Sequence, residues 1–231
     1  MKNRSIVQRS VAAFTAAGVC SGFALAGPDW VEGKNDAGSF VSTAQRTLGV
    51  GQLLAISGQL SAAFGLTGAG GDYEDMFLIT VTDPSKFQIT VASANFNAQL
   101  FIFNVTLPGQ AFGLLANRET VFGDAPVLTP VATDGSGAAL TVPGQYAIAI
   151  SGYGRNPVSN TGAIFNFGSP FEVSGPDGPG GFNPHNAWVG EGEVGSYTLH
   201  LDGVGFYDVP GPGAFALLGL AGLRRTRRRP R

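Results

Sequence analysis

The sequence predicts an all-β chain: an antiparallel β-sandwich of jelly-roll type with a long loop or hairpin insertion. Two observations carry this. Apolar residues between 48 and 208 fall in short runs that alternate at period two, and turn residues stop each run, with 35 Gly and 14 Pro in 231 residues. Many short strands separated by turns read as a β-sandwich. A third observation frames the body. Each terminus carries an apolar segment beside a basic cluster, read as an N-terminal signal helix and a short C-terminal apolar helix.

The chain opens with a basic region, Lys2, Arg4 and Arg9, followed by small and apolar residues over 11–23. Ala24 and Ala26 then form a small-x-small cleavage site ahead of Gly27 and Pro28. This is the pattern of a secretory signal peptide over 1–26 rather than of a membrane span. The single cysteine, Cys20, lies inside it and follows Val19, whereas a lipidated cysteine follows a small residue. A chain cleaved after Ala26 keeps no cysteine. It holds neither a disulfide nor a thiolate metal site, and its stability comes from burial. Residues 27–47 read as an N-terminal extension.

The β-sandwich domain is assigned to 48–208. Residues 52–60 read as a strand, and so do residues 76–81, which Asp83 and Pro84 end as a turn. Phe87, Ile89 and Val91 alternate with Gln88 and Thr90. Residues 99–104 form a continuous apolar run suited to a central strand. Residues 138–142, the pair Pro143 and Gly144, and residues 145–151 read as strand, tight turn and strand. Residues 196–201 close the domain. Between 152 and 194 the alternation lapses. There 162–167 reads as a short strand and 174–184 as a loop. A loop of this length inside a compact domain is functional or mobile. It is expected to decorate one end of the sandwich.

The formal net charge of −2 hides an asymmetry. Between Gly27 and Gly213 the body carries −11 (five basic against 16 acidic residues), because the other nine basic residues lie at the two ends. An acidic body with no basic stripe argues against nucleic-acid binding and suits divalent cations.

Asp72, Glu74 and Asp75 place three carboxylates within four residues. They are candidate ligands for calcium, which takes six to eight oxygens, although three acids also read as a solvated turn before a strand. Phe182, His185 and Trp188 are candidates for an exposed aromatic platform that stacks on sugar rings, although aromatics beside glycine more often pack the loop onto its own domain. The two histidines, His185 and His200, stand in no nucleophile motif and show no metal-ligand spacing. His200 shares a strand face with Thr198 and Asp202 and reads as solvent-facing. No catalytic residue is assigned and the chain is read as no enzyme. A hydrolase is the third reading, since the paired carboxylates of a glycosidase need not be close in sequence.

The chain ends in a breaker, an apolar segment and a basic cluster. Pro210, Gly211 and Pro212 precede residues 214–223, and Arg224, Arg225, Arg227, Arg228 and Arg229 follow. Arginines stop transfer on the cytoplasmic side, so the body is presented outward. Ten apolar residues make a helix about 15 Å long, half of a hydrocarbon core of about 30 Å. That suits a transient signal better than a lasting anchor. Residues 209–231 resemble the C-terminal sorting signal of PEP-CTERM proteins, with Gly211 where that family usually has Glu. The resemblance implies export machinery and a C-terminal sorting or processing enzyme as partners, with transient membrane association.

The body resembles the bacterial pre-peptidase C-terminal domain. Residues 51–58, the acidic turn and strand over 71–81, residues 98–104, the hairpin strand over 143–150, and residues 196–199 carry the resemblance. It implies a secreted jelly-roll β-sandwich of the kind found beside peptidases and in surface proteins. Some members bind calcium through carboxylates near strand ends. Here Asn97 and Asn104 stand where acidic residues are common, and Asn117, Arg118 and Glu119 replace an Asn-Asp-Asp turn. The expected function is that of an exported, non-catalytic protein of the cell surface or extracellular matrix. Its expected contacts include extracellular polysaccharide and no nucleic acid. A carbohydrate- or calcium-binding module is the alternative.

Overall fold

The computed structural model describes residues 29–33, 36–64, 71–105, 107–120, 123 and 125–207. The signal peptide, the sorting tail and both expected terminal helices lie outside the described residues. Within them the chain is mostly β. The one helix described is a 3-10 turn, Pro84–Lys86, capped by Asp83, whose carboxylate accepts from the Ser85 N–H. Among the described residues no helix is long and apolar enough to cross a membrane.

Two larger sheets organise the fold. The first runs β1 (Asp29–Val31), β3 (Ala55–Gln59), β15 (Ser196–Asp202), β7 (Gln88–Ala94), β10 (Val127–Leu128). The second runs β16 (Val204–Phe206), β6 (Glu74–Val81), β11 (Gly144–Gly152), β8 (Ala98–Asn104), β9 (Phe112–Asn117), with β2 (Gln45–Arg46) also on β6. All pairings are antiparallel except β1 on β3 and β2 on β6. Two small sheets complete the set: β4 (Ser61–Phe64) with β5 (Gly71–Asp72), and β13 (Gly162–Ala163), β12 (Asn156–Ser159), β14 (Ala187–Val189).

The sequence of each strand follows from how many of its faces are covered. Ile56, Ile89, Val91, Leu199 and Leu201 of the first sheet join Phe77, Ile79, Leu100, Ile102 and Ile148 of the second in one buried cluster. Each such side chain contributes roughly 1.5–3 kcal/mol by leaving water. The other face of the first sheet is open at its centre, so β15 alternates strictly between buried and more exposed positions. The second sheet is covered on both faces. Its outward residues Met76, Leu78, Phe101 and Phe103 pack under Ile164, Phe165 and Trp188. A strand buried on both faces reads as a continuous apolar run, which is why 99–104 shows no alternation.

Three expectations change here. Residues 138–142 form no strand. Leu140 fills the core beside an isolated antiparallel bridge between Val131 and Ala139, flanked by Ala132 N–H to Ala138 O and Leu140 N–H to Pro130 O, and β11 pairs with β6 and β8 instead. Within the extension, Asp29–Val31 supplies β1 to one sheet and Gln45–Arg46 supplies β2 to the other. The insertion over 152–194 is a third layer over the second sheet rather than a decoration at one end.

Candidate metal centre

One corner of the molecule gathers carboxylates from segments far apart in sequence. β1 lies parallel to β3 and delivers Glu32, whose N–H donates to Ser57 O at 2.8 Å. The Glu32 carboxylate accepts from the N–H of Gln59 (2.9 Å) and of Ala37 (3.3 Å). The chain then turns so that Gly38 O accepts from Met76 N–H at 3.0 Å, which brings Asp36 beside the start of β6. There Asp75 is fully buried. Its Oδ2 accepts from the Tyr197 hydroxyl at 2.6 Å. On β5, Asp72 Oδ2 accepts from Ser61 N–H at 3.2 Å. Gly58 lies against this corner. A Cβ there would overlap the Tyr197 hydroxyl and the Glu32 carboxylate, so only glycine lets β3 pass.

Glu32, Asp36 and Asp75 each offer an oxygen, and these oxygens lie within 4.8 Å of one another. Two oxygens on one calcium, each at about 2.4 Å, are at most about 5 Å apart. The spacing therefore fits a shared ion. Asp72 Oδ1 and Asp75 Oδ1 are buried and accept no hydrogen bond. Buried acceptors are almost always satisfied, so two orphaned carboxylate oxygens at one place need an explanation.

The electrostatics agree. Burial, then the charges of Asp36 and Glu32, push the Asp72 carboxyl up to about 8. Burial, then Glu32 and Asp72, hold Asp75 well above the usual carboxylate range. Burial also raises Glu32, against its backbone hydrogen bonds, with the Asp36 charge adding to the effect. Among the described residues no Lys or Arg forms an ion pair with this group. The pairs present are Lys86 with Asp83 and Arg155 with Glu74. Such a corner keeps protons or takes a cation. An all-oxygen, multi-carboxylate donor set is that of a hard divalent ion, and calcium tolerates its irregular geometry better than magnesium does.

The expected trio of Asp72, Glu74 and Asp75 is thus divided. Glu74 points to the other face of β6, where Arg155 Nε holds it at 2.9 Å. Glu32 and Asp36 take its place. They lie about 40 residues upstream in a stretch that reads as a polar extension, and no local spacing announces them.

The aromatic trio is also divided. Trp188 is buried, its Nε1–H donating to Ser39 O at 2.7 Å, and it meets the Phe101 ring edge-on. His185 packs between Phe40, Phe103 and Trp188. Burial lowers its pKa to about 4. Phe182 alone is exposed, at 96%. His200 is solvent-facing on β15, as its strand position implies. Arg118, which stands in place of a turn carboxylate, stacks 3.8 Å from the Phe167 ring centre and donates to Asn156 Oδ1, within the part of the chain that holds the insertion.

Comparison with protein-family models, curated proteins and solved structures finds no match for this chain.

Proposed function

We propose that the chain is an exported, non-catalytic module of the cell surface or extracellular matrix, in which a divalent cation, calcium by its chemistry, fastens the N-terminal segment to the body. The observation that carries the cation is the pair of buried, unsatisfied oxygens, Asp72 Oδ1 and Asp75 Oδ1, beside Glu32 and Asp36. Two of the grouped carboxylates, Glu32 and Asp36, come from the segment that leads off β1 and one, Asp75, from β6, with Asp72 of β5 nearby, so an ion there ties the segment to the body.

Support for export and sorting is in the sequence. The basic, apolar, small-x-small leader precedes an acidic, cysteine-free body, and the Pro-Gly-Pro, apolar and arginine-rich segments follow it. The jelly-roll reading is supported by strand order. Taking the eight main strands β3, β6, β7, β8, β9, β10, β11 and β15 in sequence as one to eight, the sheets read 1-8-3-6 and 2-7-4-5, all antiparallel. That is the interleaving of two Greek keys. It also suits the proposed kinship with pre-peptidase C-terminal domains. A glycosidase reading is less suited to the cluster, because full burial of Asp75 denies a substrate access.

Calcium titration of the chelated protein by calorimetry tests the cation. Saturable heat with a rise in Tm is expected. Absence of both rejects the site.

A further inference from the structure

We propose that the tip of the insertion is a binding site for a neutral polysaccharide, with the Phe182 ring as its stacking surface and Thr161 and Asn183 as its polar contacts. This goes beyond the cation site and does not depend on it. Phe182 is 96% exposed, the most exposed large apolar side chain described. Lone surface apolar residues need no explanation in general, but the support beneath this one is unusual.

The turn that carries Phe182 is fixed from all sides. Gly178 N–H donates to Ile164 O, Gly180 N–H to Ala163 O, Gly181 N–H to Gly178 O and Asn183 N–H to Gly180 O. The glycines are required by close packing. A Cβ at Gly180 would overlap Gly162 O and Ser159 Oγ, and one at Gly181 would overlap Pro176 O. Past the turn, His185 N–H donates to Ala111 O at 2.7 Å, which ties the loop to the segment before β9. The ring is therefore held out on a pre-organised support, and binding does not have to order it.

Its surroundings choose the partner. Asn183 Nδ2–H donates to Thr161 Oγ1 at 2.9 Å, and Thr161 Oγ1 lies 3.1 Å from Ser159 Oγ. These groups are uncharged hydroxyls and an amide. The loop's carboxylate, Asp177, accepts from Asn166 N–H at 3.0 Å. An exposed aromatic ring followed in the chain by Asn183, which is bonded to Thr161, pairs an apolar face with neutral donors and acceptors, as a pyranose does. An anionic lipid surface is disfavoured by a body that carries −11 (five basic against 16 acidic residues).

Native affinity electrophoresis of the full chain, at fixed calcium, tests this. Gels would contain soluble β-glucan, glucomannan, xylan or polygalacturonate, and a parallel flotation would use phosphatidylglycerol vesicles. Retardation by at least one neutral polymer is expected, weakened at least fivefold in Phe182→Ala and kept in Phe182→Trp, with Tm unchanged in both. Three results would overturn the proposal: no retardation by any neutral polymer, equal retardation of Phe182→Ala, or Phe182-dependent binding to vesicles alone.

Discussion

Replacing Asp72 by Asn separates a cation site from a buried acidic accident. The substitution keeps an acceptor for Ser61 N–H and removes a charge. In chelator, the folded-state pKa of Asp72 lies at about 8 against an ordinary 3.8. The folded state then holds a proton that the unfolded chain has released, so stability contributed by this group is present at low pH and is lost as pH rises toward and past 8. The full difference corresponds to about 5–6 kcal/mol. Solvent screening at a partly exposed carboxylate reduces this to roughly 2 kcal/mol. For a domain of this size that is roughly 4–8 °C in Tm. In chelator at pH 9, Asp72→Asn is expected to melt that much above the wild type, and below pH 4 the two should coincide. Calcium works against that order. With calcium at about 100 times a Kd typical of extracellular sites, the wild type gains about 2.7 kcal/mol, and the variant, with one carboxylate fewer at this corner, gains less, so the gap between them shrinks. Differential scanning calorimetry at both pH values, with and without calcium, reads all four states. A variant less stable than the wild type in chelator at pH 9, together with equal calcium gains, would refute the reasoning.

Arg155→Met should cost about 3–5 kcal/mol in chemical denaturation, because it strands the buried Glu74 carboxylate, and adding Glu74→Gln should restore most of the loss. His185, depressed by burial to about 4 against 6.5, contributes stability that is present above pH 6.5 and lost as pH falls toward 4. His185→Phe should flatten the fall of unfolding free energy across that window by roughly 2 kcal/mol, and an unchanged slope would show that the ring does not govern it.

The sequence exposes the strands that have one or two well-defined covered faces. Residues 76–81, 99–104 and 196–201 are legible because burial on both faces, or on alternate sides, imprints directly on residue type. Residues 138–142 mislead because they pair only through the isolated bridge of Ala139 with Val131, while Leu140 fills the core as the inward residue of a strand would. Trp188 and His185 follow the packing reading of aromatics beside glycine: both turn inward onto the second sheet, and the glycines let the loop fold closely on itself around them. The acidic corner is half legible. Asp72 and Asp75 announce themselves by proximity, whereas Glu32 and Asp36 arrive through a parallel pairing that no local pattern encodes.

The place of β15 has a kinetic consequence. This strand, nearly the last of the described chain, lies between β3 and β7 at the heart of the first sheet. Until residues 196–202 are available, β3 and β7 have no common neighbour, and Asp75 has no Tyr197 to bind. The sheet is therefore completed from its middle and at the end, through contacts of high sequence separation, which slow folding into the range of milliseconds to seconds. A chain cut before residue 196 is left with two open strand edges and a prematurely exposed core. Such edges invite association between chains. For this topology the first sheet closes only once residues 196–202 are in place.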